Sequence, residues 1–303
     1  MYNEKQKKDF IRYYNNGNDT YITCLFNYTA DAEELKDKDV SCFREKEIYE
    51  LLSGMNSVSV DTLNVKLSIL RTYTTWCEKR GLLSTNMNCY NSIARSDMVH
   101  CINTVAKEAR IIDRETMLKY CDELVNPADK LLVMCIFEGV KTKRSVSALG
   151  SLKREDVHPD YIQLEDRRVK ISPKLYEMVQ ETNETDDYFP MFGTEKEISI
   201  KLAESVFVFR PKNSSKYPDD AVRNTTRLKS RFTKYISTYT NPNLTITSLY
   251  WSGIIYNLNE IAKKKKLGLS QAVHTAEFDE IIEQYGLHIS KANILRKVKT
   301  YTN

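Results

Sequence analysis

Glycine is scarce in this chain. Only nine glycines stand among 303 residues. None builds a Gly-x-x-x-x-Gly-Lys loop or a Gly-x-Gly-x-x-Gly turn, which argues against a nucleotide-driven enzyme and a nucleotide cofactor. The seven cysteines (Cys24, Cys42, Cys77, Cys89, Cys101, Cys121 and Cys135) are odd in number and never form Cys-x-x-Cys. That usage points to reduced thiols and away from a zinc site or a disulfide framework. No run approaches the ~18 apolar residues of a membrane span, and no signal-peptide pattern opens the chain. The expectation is a cytoplasmic protein with no membrane partner, no metal and no cofactor.

What is present is unevenly placed. Formal net charge is only +4, yet residues 201–303 hold 17 Lys+Arg against 8 Asp+Glu, while the first 200 hold 28 against 33. The electrostatic footprint therefore lies in the C-terminal third. Its centre is the stretch from Asp219 to Ser237. Placed on one helix, Arg223, Lys234, Arg227 and Arg231 fall within an arc of roughly 80°, opposite Val222, Leu228, Phe232, Tyr235 and Ile236. Asp219 and Asp220 suit the N-terminal turn. No acid between Ala221 and Ser237 offsets the like charges, so an anionic partner, above all a phosphate backbone, is the economical reading. Arg210, Lys212 and Lys216, in the polar loop leading into this helix, extend the same surface.

Before it, residues 3–15, 19–36 and Glu45–Leu52 read as helices. Leu63, Leu67, Leu70, Thr74 and Cys77 then recur at i, i+4 and i+7, with Asp61 as a plausible cap and Gly81 as the stop. Arg71, Lys79 and Arg80 on that helix are candidate DNA contacts. A linker near Asn103–Arg110 divides the chain into 1–108 and 109–303. Asp113 caps a helix to about Leu124, and Pro127 opens the next. Tyr161–Leu164 and Arg167–Ile171 alternate with period two, as a hairpin does. Pro173 starts a helix to about Thr182, Asn183–Asp187 is an acidic loop, and Ile198–Lys201 and Val206–Phe209 are short strand candidates. A further helix begins near Trp251 and ends on Lys263–Lys266, a run that complements the helix dipole.

Four segments in this order resemble the tyrosine recombinases (phage integrases). Ser59–Leu82 is similar to their core-binding helices. Glu138–Val157 resembles the box Thr-Gly-x-Arg-x-x-Glu-Leu. One register puts Lys141 in the arginine slot; another puts Ser145 there, and Arg144 misses by one residue. Leu244–Tyr256 resembles the segment that reads His-x-x-Arg-His, with Thr247 at the histidine and Tyr250 at the arginine. Arg168 or Lys170 would sit on the hairpin that carries the family's general acid. Glu280–Ser290 resembles the Leu-Gly-His-Ser segment. Tyr301 lies about five residues out of register with the nucleophile.

The resemblance implies a mainly α (α+β) fold: a helical core-binding domain, then a recombinase-like domain with a small antiparallel sheet. It also implies that the groups which hold and attack a phosphodiester are lost, while binding to double-stranded DNA, spread over many cations, survives. Lys141, Lys143, Arg144, Arg168, Arg210, Lys212, Lys216, Arg223, Arg227, Arg231, Lys234 and Tyr250 are the candidate contacts in the second domain. Chains of this kind look like the recombinase-derived repressors that maintain lysogeny in SPbeta-type temperate phages. A homo-oligomer and a small protein or peptide antagonist are further partners such a role would bring. The alternatives are an active, diverged recombinase and a protein-interaction module with a basic helix.

Overall fold

A computed structural model describes residues 1–14, 17, 19–83, 87–141, 146–190 and 198–302. Residue contacts separate two compact units, Met1–Lys107 and Glu108–Asn303.

The first unit is helical: α1 (Glu4–Tyr14), α2 (Asp19–Lys36), α3 (Glu45–Gly54), α4 (Val60–Lys79) and the short α5 (Thr104–Glu108). Its core is aromatic. The rings of Phe10, Phe26 and Tyr73 meet edge-on at centroid distances of 4.9 to 5.9 Å, a favoured geometry for such pairs. Inside the same core Lys7 and Glu33 form a fully buried ion pair. α4 ends as glycine-stopped helices do: Gly81 takes φ +64°, Gly81 N donates to Glu78 O, and Leu82 N donates to Cys77 O, each at 3.0 Å. The cap position at its start is Ser59, with Asp61 already inside the first turn. α5 occupies the stretch expected to be linker.

The second unit is built around α7 (Pro127–Phe137), whose residues Leu131–Phe137 are at most 1% exposed. Around it pack α6 (Arg114–Glu123), α9 (Pro173–Glu184) and α12 (Ile246–Lys265). A helix buried on every side shows no amphipathic period, which is why α7 reads as a plain apolar run. In chain order, α8 (Ser147–Gly150) and a hairpin of β1 (Tyr161–Gln163) and β2 (Arg168–Lys170), paired Ile162 to Val169, come between α7 and α9. β3 (Asp187–Tyr188) and β4 (Ile200–Lys201) form a second antiparallel pair. Asp187, expected in a loop, is therefore in a strand. Val206–Phe209 is not a strand; only Phe207 makes a bridge, to Lys153.

The basic helix is α10 (Ala221–Arg231). It does not run straight through to Ser237. Phe232–Ile236 is wound as a π-helix, followed by the short α11 (Ser237–Tyr239). α12 starts five residues before Trp251, capped by Thr245, whose Oγ1 accepts from Ser248 N at 3.0 Å. α13 (Leu269–Ala272), α14 (Ala276–Gln284) and α15 (Lys291–Thr302) complete the unit. The lysine run is exposed at the end of α12, with Lys263 paired to Glu260 and Lys265 to Glu277.

Candidate nucleic-acid interface

α10 is fixed at its start by Asp220, whose Oδ1 accepts from Val222 N and Arg223 N, both at 3.0 Å. Its inward face rests on α8. A Cβ at Gly150 would overlap Thr225 Oγ1, so the close approach requires glycine there. Buried Asn224 donates to Gly150 O and Phe209 O at 2.9 and 3.0 Å. Leu228 and Phe232 continue this face into the core.

Two of the four expected DNA-facing cations lie on that inward face. Arg231 is 8% exposed and makes a forked pair with Asp129, itself 2% exposed, at 3.0 Å (Nε to Oδ1) and 2.7 Å (Nη2 to Oδ2). The rings of Tyr188 and Tyr235 stand 4.8 and 4.7 Å from its guanidinium carbon, and Tyr188 OH donates to Asp129 Oδ1 at 3.1 Å. Arg227 is half-buried and donates to Phe209 O at 3.0 Å and Asn224 Oδ1 at 2.6 Å. The compensating acid sits 102 residues away on α7, where no reading of the local sequence finds it. Val222, expected inside, is instead 77% exposed, and Tyr235 is 38% exposed.

Other expected contacts are likewise spent inside the fold. Arg210 is 8% exposed, pairs with Asp186 at 3.0 Å and donates to Thr185 O. Arg71 donates to Tyr90 O at 2.9 Å and Ile93 O at 3.1 Å. Exposed cations remain: Lys79 and Arg80 on the first unit, and Arg168, Lys212, Lys216, Arg223 and Lys234 on the second. Arg80 lies over the Trp76 ring at 4.4 Å and Arg168 over Tyr161 at 4.9 Å. Arg223 pairs with Asp220 at 3.1 Å and stacks on Tyr217. Lys229, absent from the expected set, is exposed on α10. Lys143, Arg144 and Ser145 lie outside the described residues.

The positions that resemble the recombinase phosphate site come together, but differently equipped. Lys141 is 4% exposed and Tyr250 5% exposed, and the Lys141 Nζ stands 4.3 Å from the centre of the Tyr250 ring. Both expected contacts are thus interior side chains facing each other. Tyr250 OH donates to Tyr285 O. Tyr285 in turn is buried with its hydroxyl against Phe137 O, at the spot where a Cβ on Gly253 would collide with both groups. Arg167 closes the same region, donating to Gln284 O at 2.9 Å, Lys141 O at 2.6 Å and Gly139 O at 3.1 Å. Burial, with Arg167 and Lys297 nearby, pulls the Lys141 amine down to about 8. Burial pushes the Tyr250 phenol up to about 12. From α15, Lys297 lies over the Trp251 ring at 5.0 Å, and the Tyr301 ring is 6.4 Å from it. Among the described residues no group of three His, Cys, Asp or Glu gathers as a metal site, and no helix is long and apolar enough to cross a membrane.

Over 318 residues the chain is 21% identical to the SPbeta prophage-derived uncharacterized protein YopR of Bacillus subtilis (strain 168), covering 100% of this chain and 94% of that one. Among solved structures it is similar to a lambda integrase (75–356) dimer bound to a COC' core site, with 10% identity, a TM-score of 0.43, and coverage of 95% and 97% of the two chains. Residues 1–79 match the model described as the MrpR N-terminal core-binding domain, and residues 111–303 the MrpR C-terminal catalytic domain. With both of its units matched in chain order, the chain belongs to the MrpR family and is built on a tyrosine-recombinase-like scaffold.

Proposed function

We propose that this protein binds double-stranded DNA sequence-specifically, acts as a phage transcriptional repressor that maintains lysogeny, and no longer cuts the DNA it holds. The observation that carries the loss of cutting is the Lys141–Tyr250 contact. Lysine cannot grip a phosphate in the two-pronged way of a guanidinium. A tyrosine whose hydroxyl is committed to Tyr285 O supplies no cation at all. Removing one oxyanion donor typically costs about 2.7–4 kcal/mol of transition-state stabilisation, and here the arginine, histidine and second arginine positions all differ. Binding needs none of these groups. It is carried by dispersed exposed cations such as Lys212, Lys216, Arg223 and Lys234. A prophage-derived relative supports the phage setting.

The test is a gel shift with genomic fragments of the phage and its host over a salt series, paired with a promoter–reporter assay. The proposal expects tight binding to a few fragments, affinity falling steeply with salt, and lower reporter output from promoters on those fragments. No duplex binding at low salt would end the reading. One observation favours a second reading, a diverged but active recombinase: Tyr301 reaches the Trp251 ring beside Lys297. Trapping of a covalent protein–DNA adduct separates the two.

A further inference from the structure

The outward face of α10 and of the π-helical turn after it mixes exposed methyl-bearing side chains with cations. Val222 is 77% exposed. Thr226, Lys229 and Thr233 follow it at helical spacing, all exposed. Both threonine hydroxyls are already used within the helix: Thr226 Oγ1 donates to Val222 O at 3.1 Å and Thr233 Oγ1 to Lys229 O at 2.9 Å. Hydroxyls turned back onto the i−4 carbonyl leave the methyl groups pointing away from the helix. The surface shown is therefore a ridge of methyls. Lys229 interrupts it, Arg223 and Lys234 flank it, and neither lysine is ion-paired to a described residue.

The charge and the shape together select an occupant. Protein hot spots favour large anchors such as Trp, Tyr or Leu; this ridge carries methyls and a cation, and of the exposed rings near it Tyr217 stacks on Arg223 and Tyr235 on Arg231. The major groove of B-DNA is about 12 Å wide, admits a helix, is bordered by phosphates, and displays the thymine C5-methyl beside each adenine. Methyl-to-methyl contact there is a known route to reading thymine.

We infer that α10 and the π-helical turn after it read A·T base pairs through their thymine methyl groups, with Val222, Thr226 and Thr233 as the specificity-determining contacts and Arg223, Lys229 and Lys234 on the flanking phosphates. This rests on the DNA-binding function proposed above. It assigns base reading to the uncharged residues of the helix and only anchoring to its cations.

The experiment uses the full chain and duplexes it selects from a random pool, resynthesised with deoxyuridine in place of thymidine, which removes only the methyl. Affinity should fall about fourfold for each contacted methyl lost. The Thr226→Ser, Thr233→Ser double variant keeps both hydroxyl bonds and loses two methyls. It should bind thymidine and deoxyuridine duplexes almost alike at the corresponding positions, with its melting temperature unchanged. Equal binding of both duplex forms by the unaltered chain, or a thymine preference intact in the double variant, overturns the inference while leaving DNA binding standing. Failure to select any duplex overturns the DNA-binding reading and this inference with it.

Discussion

The Lys141 amine faces the Tyr250 ring across 4.3 Å, so two buried side chains of the second unit contact each other. A cation over an aromatic face is worth up to ~2 kcal/mol when desolvated. Burial works against it, and with Arg167 and Lys297 nearby it lowers the Lys141 ionisation.

The cost has a pH signature. The folded-state value for Lys141 is about 8, against an ordinary 10.5. Between those values the unfolded chain holds the extra proton, so this residue makes stability rise with pH across that window, and its penalty is fully present below about 8. Lys141→Met should therefore be more stable than the unaltered protein at neutral pH. That advantage should shrink as pH climbs to 10.5, read as urea midpoints. Midpoint curves that stay parallel would show that Lys141 is not held down.

Asp129 and Arg231 make a second buried relationship, with opposite consequences for mutation. Removing one member leaves the other's charge buried without this counter-charge. Asp129→Asn should cost about 3 kcal/mol or more in urea unfolding. Replacing both together, Asp129→Leu with Arg231→Met, should recover most of that loss, because a paired apolar replacement leaves no orphaned charge. Additive losses in the double variant would contradict the pairing.

The cations of α10 and of the π-helical turn after it should separate into two classes. Arg223→Gln and Lys234→Gln should each weaken duplex binding and lower the slope of log affinity against log salt by about 1, with an unchanged melting temperature. Arg227→Gln removes bonds to Phe209 O and Asn224 Oδ1 and should lower the melting temperature instead. The comparison needs thermal melts and salt titrations on the same preparations.

Phe232, fully buried where α10 passes into the π-helical segment, should cost about 3 kcal/mol or more when cut to alanine. A smaller loss would mean that the neighbouring side chains collapse into the space.

Much of the architecture was legible because local rules decide it. Asp113, Pro127 and Pro173 sit at helix starts and Gly81 at a helix end, as their chemistry requires. The hairpin around Glu165 followed from alternation. The faces of α10 were not legible. Periodicity treats arginine as an outward residue, yet Arg231 is held inside by an acid 102 positions away. The π-helical turn at Phe232–Ile236 also breaks the 100° step on which Lys234 and Tyr235 were placed. At the resemblance boxes the presence of Tyr250 at one arginine position, and of Lys141 or Ser145 at the other, was readable one residue at a time. That Lys141 and Tyr250 face each other was not, since 109 residues separate them in sequence.

The central claim, a duplex held without being cut, is tested most directly with a nicked suicide duplex carrying a selected binding site, which traps any tyrosyl–phosphate linkage. The account predicts a salt-sensitive complex on a native gel and no protein-linked strand on the denaturing gel run beside it. A linked strand that disappears in Tyr301→Phe would contradict it.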